Sequence, residues 1–200
     1  MATLNTTNIK HASSGSNNIV LAADGSCTFP NTSTGKILQV VQTVKKDTFS
    51  FTTTASTIST SGDVTGLNVT ITPSNASNKI LLIPSIVVSH DAVFVYLYKD
   101  GSLIDQIGNA GNDGDGNALI RSTFGAVSNS MNCSTTTGLL LDTAGGTSAI
   151  TYSIRLGAMW IGSSTKTLFL NKTGRTNEVY SSTYRLGRYI STFTAIEIAA

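Results

Sequence analysis

The chain has 200 residues, enough for one sizeable domain or two small ones, and only 12% of them are charged, against about 25% in an ordinary soluble domain. Serine, threonine and asparagine fill the gap, with 25, 30 and 15 copies. That balance excludes a coiled coil or helical bundle, which need Ala, Glu, Lys, Leu and Arg. With 40% hydrophobic residues and a net charge of +2, it also excludes a disordered tail.

Up to Asn18 the chain is polar and shows no apolar period. Asn18 to Pro30 then reads as a short apolar strand, an Asp24-Gly25 turn, a second short strand and a proline stop. Such a hairpin has too few apolar residues to be stable alone. Ile19, Val20, Leu21 and Phe29 are therefore expected to be buried by neighbouring copies or by a larger particle. Residues 1–35 read as an extended attachment segment, and 36–200 as a head domain.

From Lys36 onward strand follows strand. Lys36 to Val44 is β-branched and apolar, and Phe49 and Phe51 alternate with Ser50 and Thr52. Residues 53–66 read as a Ser/Thr/Gly loop. Leu67, Val69 and Ile71 alternate with Asn68, Thr70 and Thr72, the pattern of a half-buried strand. Ile80 to Val88 and Val93 to Tyr98 read as two successive buried strands. Lys99-Asp100-Gly101-Ser102 then closes a hairpin onto Leu103-Ile104. Further strands fit Leu119 to Val127, Gly138 to Leu141, Ala149 to Trp160, Thr167 to Leu170 and Tyr189 to Ile198. No stretch carries a capped helical period. The fold class is all-β: an antiparallel β-sandwich, jelly-roll-like, preceded by the N-terminal segment.

Met1 to Asn5 begins no secretory signal. Pro84, His90 and Asp91 interrupt the most apolar stretch, so no membrane insertion is expected. Cys27 and Cys133 read as two free thiols. The six Asn-x-Ser/Thr sequons follow from the composition. Near-neutral charge, without a basic stripe interleaved with aromatics, argues against nucleic-acid binding.

Several pieces in order resemble the fibre and virion-structural proteins of tailed bacteriophages, marine ones especially. They are Gly35 to Gln42, Gly66 to Pro73, Ser77 to Leu82, Tyr98-Lys99-Asp100-Gly101 and the closing Ser191 to Ile198. The closing strand is also similar to that of trimeric jelly rolls of the C1q and tumour-necrosis-factor type. The resemblance implies a homotrimer on the virion. The N-terminal segment would hold other virion proteins, and the head would bind a host-surface glycan or protein. A head fibre or a capsid decoration without a receptor role fits the same resemblance.

The residues that could carry chemistry are few. Asp113, Asp115 and Asn117 have the i, i+2, i+4 spacing that opens a calcium loop, but Ala118 and Phe124 stand where such a loop needs Gly and Glu. The segment therefore reads first as a flexible Gly/Asp/Asn loop between strands, with no metal expected. Lys172, Arg175, Arg185 and Arg188 form a basic cluster that could meet anionic glycans, or an ordinary solvated loop. Trp160, Tyr180 and Tyr184 could stack on sugar rings, or pack. His90-Asp91 lacks a nucleophile elbow, and the only glutamates, Glu178 and Glu197, are not paired by spacing as a glycosidase requires. The chain is thus expected to be no enzyme and to need no cofactor; a polysaccharide-degrading enzyme or a monomeric lectin is the competing reading.

Overall fold

Runs of β-branched and aromatic residues broken by Gly, Asn and Asp form strands, and among the described residues there is no helix. The structure is a computed structural model that describes residues 6–28, 35–53, 59–89, 92–104, 120–123, 133–158, 166–172 and 189–200.

A small three-stranded sheet comes first, built from β1 (Asn8–Ile9), β2 (Ile19–Leu21) and β3 (Cys27–Thr28). Its β2–β3 hairpin turns at Asp24-Gly25, where Gly25 takes a φ of 84° and Asp24 Oδ1 accepts the Ser26 N–H. The polar stretch before it also supplies a strand, which its composition does not signal: Ile9 pairs with Ile19 and Asn8 with Val20. Among the described residues no strand pairing joins this sheet to the rest of the chain.

The rest is an antiparallel β-sandwich. One layer, of seven strands, runs β4 (Ile37–Lys45), β15 (Ser191–Ile198), β7 (Lys79–Ser89), β14 (Lys166–Leu170), β5 (Phe49–Thr53), with β11 (Ser134–Thr137) and β12 (Leu140–Thr143) also pairing β7. The other, of five strands, runs β10 (Ile120–Thr123), β8 (Ala92–Lys99), β13 (Ile150–Ala158), β6 (Ser59–Ile71), with β9 (Ser102–Leu103) on β8. Between them lies one core. It takes Leu67, Val69 and Ile71 from β6, Val93, Val95 and Leu97 from β8, and Tyr152, Ile154 and Leu156 from β13. Ile80, Leu82, Ile86 and Val88 of β7, Leu168 and Leu170 of β14, and Phe193 and Ala195 of β15 face them from the other layer.

One sequence expectation needs correction, and one strand is not foreseen from the sequence. Residues 59–66 are strand rather than loop: β6 starts at Ser59 and pairs β13 along its length, through two register shifts, one of them around Gly66, whose φ is 78°. The alternation is lost there because the bulge and the polar run hide it. Strand β11, too, has no apolar signal; its Ser134–Thr137 backbone simply continues the β12 register along β7.

Candidate functional site

Of the expected assembly residues, Ile19 and Val20 are half-buried and Leu21 is exposed; Phe29 lies outside the described residues. Ile9, on the neighbouring strand, is exposed as well. A sheet with strands of two, three and two residues thus leaves its apolar side chains incompletely covered within its own segment.

The expected recognition residues fall mostly outside the described part: Trp160, Arg175, Tyr180, Tyr184 and Arg185, and likewise the Asp113, Asp115 and Asn117 loop, His90, Asp91 and Glu178. Lys172 is described. It follows β14, and its ammonium lies 4.7 Å from the centre of the Phe169 ring, a cation–π distance. Beside it Cys133 Sγ reaches the Lys172 carbonyl at 3.5 Å. Burial pushes the Cys133 thiol above its ordinary pKa, and the neighbouring Tyr189 hydroxyl only partly offsets it. A thiol so held is less nucleophilic than a free one. Both cysteines are free thiols.

Glu197 has no exposed surface, yet its carboxylate is held by four donors. Gln39 Nε2 donates to Oε2 at 2.5 Å, and Asn78 Nδ2, Ser74 N–H and Ser74 Oγ donate to Oε1 at 2.6, 2.7 and 2.9 Å. Burial opposes ionisation, but these donors outweigh it and hold the pKa down to about 2. A carboxylate this acidic is a poor general acid; its geometry is that of a lock between β15, β4 and the turn at Ser74.

Asn171 is a second lock that the sequence leaves invisible. It is fully buried, with φ 59°. Its amide donates to the Lys45 and Asp47 carbonyls at 2.8 and 3.0 Å, and its Oδ1 accepts the Ser191 hydroxyl at 2.6 Å. This spends the amide of one sequon inside the protein.

The two outer faces of the sandwich differ. On the five-stranded sheet, Phe94, Tyr96 and Tyr98 of β8 are buried, with the Arg155 guanidinium 3.8 Å from the centre of the Tyr98 ring and bonded to Asp63 at 3.0 Å. On the seven-stranded sheet the outward side chains of β4, β15, β12 and the first half of β7 stay open or half-open, whereas Val87, Ser89 and Phe169 on its far half are buried. Val40, Ile196, Leu81 and Leu141 form one row across four strands, since Val40 pairs with Ile196, Ile196 with Leu81 and Leu81 with Leu141. Val40 is 58% and Leu141 55% exposed, and Leu139, Leu38 and Val44 are exposed beside them. The signal was present in the sequence: Ile80 to Ile83 is a continuous apolar run, and Ile37 to Val41 is apolar except for Gln39, so neither simply alternates. Such runs read as strands buried on both faces; here one face of them is open.

No protein-family model and no curated protein matches the chain.

Proposed function

We propose that the chain is a virion structural protein of a tailed bacteriophage, a trimeric fibre whose β-sandwich head binds the host cell surface. The observation that carries this reading is the N-terminal sheet. Its strands are too short for independent stability, and Ile9 and Leu21 remain exposed, which fits a segment completed by identical neighbours and by the virion protein it attaches to. The strand order supports a jelly-roll head. Four strands, β4, β15, β7 and β11–β12, lie against four others, β6, β13, β8 and β10, the two-sheet, eight-strand plan of viral and lectin jelly rolls. The phage resemblance of the fragments from Gly35 to Ile198 supplies the rest. Recognition belongs to Lys172 with Trp160, Arg175, Tyr180, Tyr184 and Arg185, a basic and aromatic set suited to anionic sugars.

A gold label on this chain, imaged on intact virus particles, is expected on fibres reaching toward the host. A label spread over the capsid face would replace the receptor reading with capsid decoration. Steady release of reducing ends from host polysaccharide by the purified chain would replace it with the enzyme reading.

A further inference from the structure

We infer that the open face of the seven-stranded sheet is a self-association surface, covered in the assembled protein by further copies of the same chain. The inference rests on the trimer reading above and names the head surface it uses. Four observations converge on it.

The face is rich in aliphatic side chains, with the neutral polar residues Gln42, Thr192, Thr194, Ser85 and Thr137 among them. The row Val40–Ile196–Leu81–Leu141 is flanked by Ile83 and Leu139 on one side and by Ile198 and Leu38 on the other, with Val44 farther along β4. It is also large. Five of these side chains, Leu38, Val40, Val44, Leu139 and Leu141, are 40 to 66% exposed. Together they show on the order of 500 Å² of apolar surface, as much as the largest patch of a typical monomer, about 300–600 Å². That is most of the roughly 800 Å² each partner gives to a standard interface.

The face is also neutral. Among the described residues of this row and its two flanks the only charge is Lys79, whose ammonium is already held by Thr143 Oγ1 at 2.7 Å. A charged partner would lose its hydration here without compensation, whereas a second neutral face loses little, since the polar side chains between the aliphatic ones bond each other: Gln42 donates to Thr194 at 2.9 Å and Thr137 to Ser85 at 3.2 Å. The chain itself carries such a face, and N-terminal segments that join copies would raise the local concentration of heads, so that like faces meet first. Finally, β4 is an outer strand of its sheet, so the apolar face runs out to an edge where a neighbour can close over it.

The test is sedimentation velocity and far-ultraviolet circular dichroism on the full chain at micromolar concentration. Wild type is expected at about three times the 20.9 kDa chain mass. Val40→Glu and Leu141→Glu should each shift it to the single-chain mass with the β spectrum unchanged. Leu103→Glu, at an exposed site on the other sheet, should leave the trimer intact. The pair Val40→Thr and Leu141→Thr keeps β propensity and adds no charge, so it repeats the test if the glutamates impair folding; it should weaken association at least tenfold. A trimer that survives the face variants overturns this inference and leaves the trimer reading standing. A wild-type dimer that the same variants dissociate keeps the face and overturns the trimer. A wild-type monomer overturns both.

Discussion

Glu197 enters the sequence as one acid in an apolar closing strand, and its environment turns it into a tether. Its pKa falls from 4.5 to about 2, so it binds protons less readily folded than unfolded. The stability it contributes is therefore complete above about pH 4.5 and is lost as pH falls toward 2. We expect about 2 kcal/mol, discounted from the full shift because its partners Ser74 and Gln39 are themselves open to solvent. Urea unfolding of Glu197→Gln should show that loss at pH 7 and a flatter profile between pH 5 and 2; an unchanged profile would remove the tether. Asp100 and Gly101 make the other residue-scale case. Their φ values of 48° and 80° are those of a two-residue hairpin turn with both central residues left-handed. Asp100 Oδ1 also accepts the Thr151 N–H at 2.8 Å. A Cβ at Gly101 would meet nothing within 4 Å, so Gly101→Val reports backbone strain alone. It should cost roughly 1–3 kcal/mol, read from thermal melting, and a neutral result would contradict the turn.

At the scale of elements, the two layers are joined by more than apolar contact. Asp142 on β12 accepts Lys99 Nζ from β8 at 2.8 Å and the Tyr152 hydroxyl from β13 at 2.7 Å, so one carboxylate of the seven-stranded sheet clamps two strands of the other. Lys99 also donates to the Thr143 and Ala144 carbonyls. Burial and the adjacent carboxylate push the Tyr152 hydroxyl well above its ordinary pKa, which keeps it a donor. Asp142→Ala leaves that hydroxyl without its acceptor and should cost about 2 kcal/mol. The loss should be largely relieved in Asp142→Ala/Tyr152→Phe, and a double-mutant cycle measures the coupling; purely additive losses would mean that the clamp contributes nothing. None of the three residues stands out in the sequence, because the partners lie 43 and 10 positions from Asp142 and only the stacking of the layers brings them together.

For the whole molecule, the small N-terminal sheet and the sandwich are held by different means. The first has three very short strands, while the second has one continuous core drawn from both layers. Deleting residues 1–35 should then weaken a trimer without unfolding the head. Light scattering would show a lower mass at micromolar concentration, and circular dichroism an unchanged β spectrum. Loss of the β spectrum on deletion would mean that the head depends on the segment.

The strand content, the absence of helix among the described residues and the Asp-Gly turns were legible in the sequence, because they depend on neighbours within a few residues: period-two alternation at Leu67-Val69-Ile71, β-branched runs, and glycine where φ is positive. Strand β6 before Gly66 and strand β11 were not, because their residues are polar and their conformation is imposed by pairing with β13 and β7. The locks at Glu197 and Asn171 escaped for the same reason, as their partners are gathered from strands far apart in the chain. The open aliphatic face lies between these cases. Composition marked Ile80 to Ile83, and Ile37 to Val41 apart from Gln39, as apolar on both sides, but which side meets a core and which is left open depends on how the layers stack, and that is decided only in three dimensions.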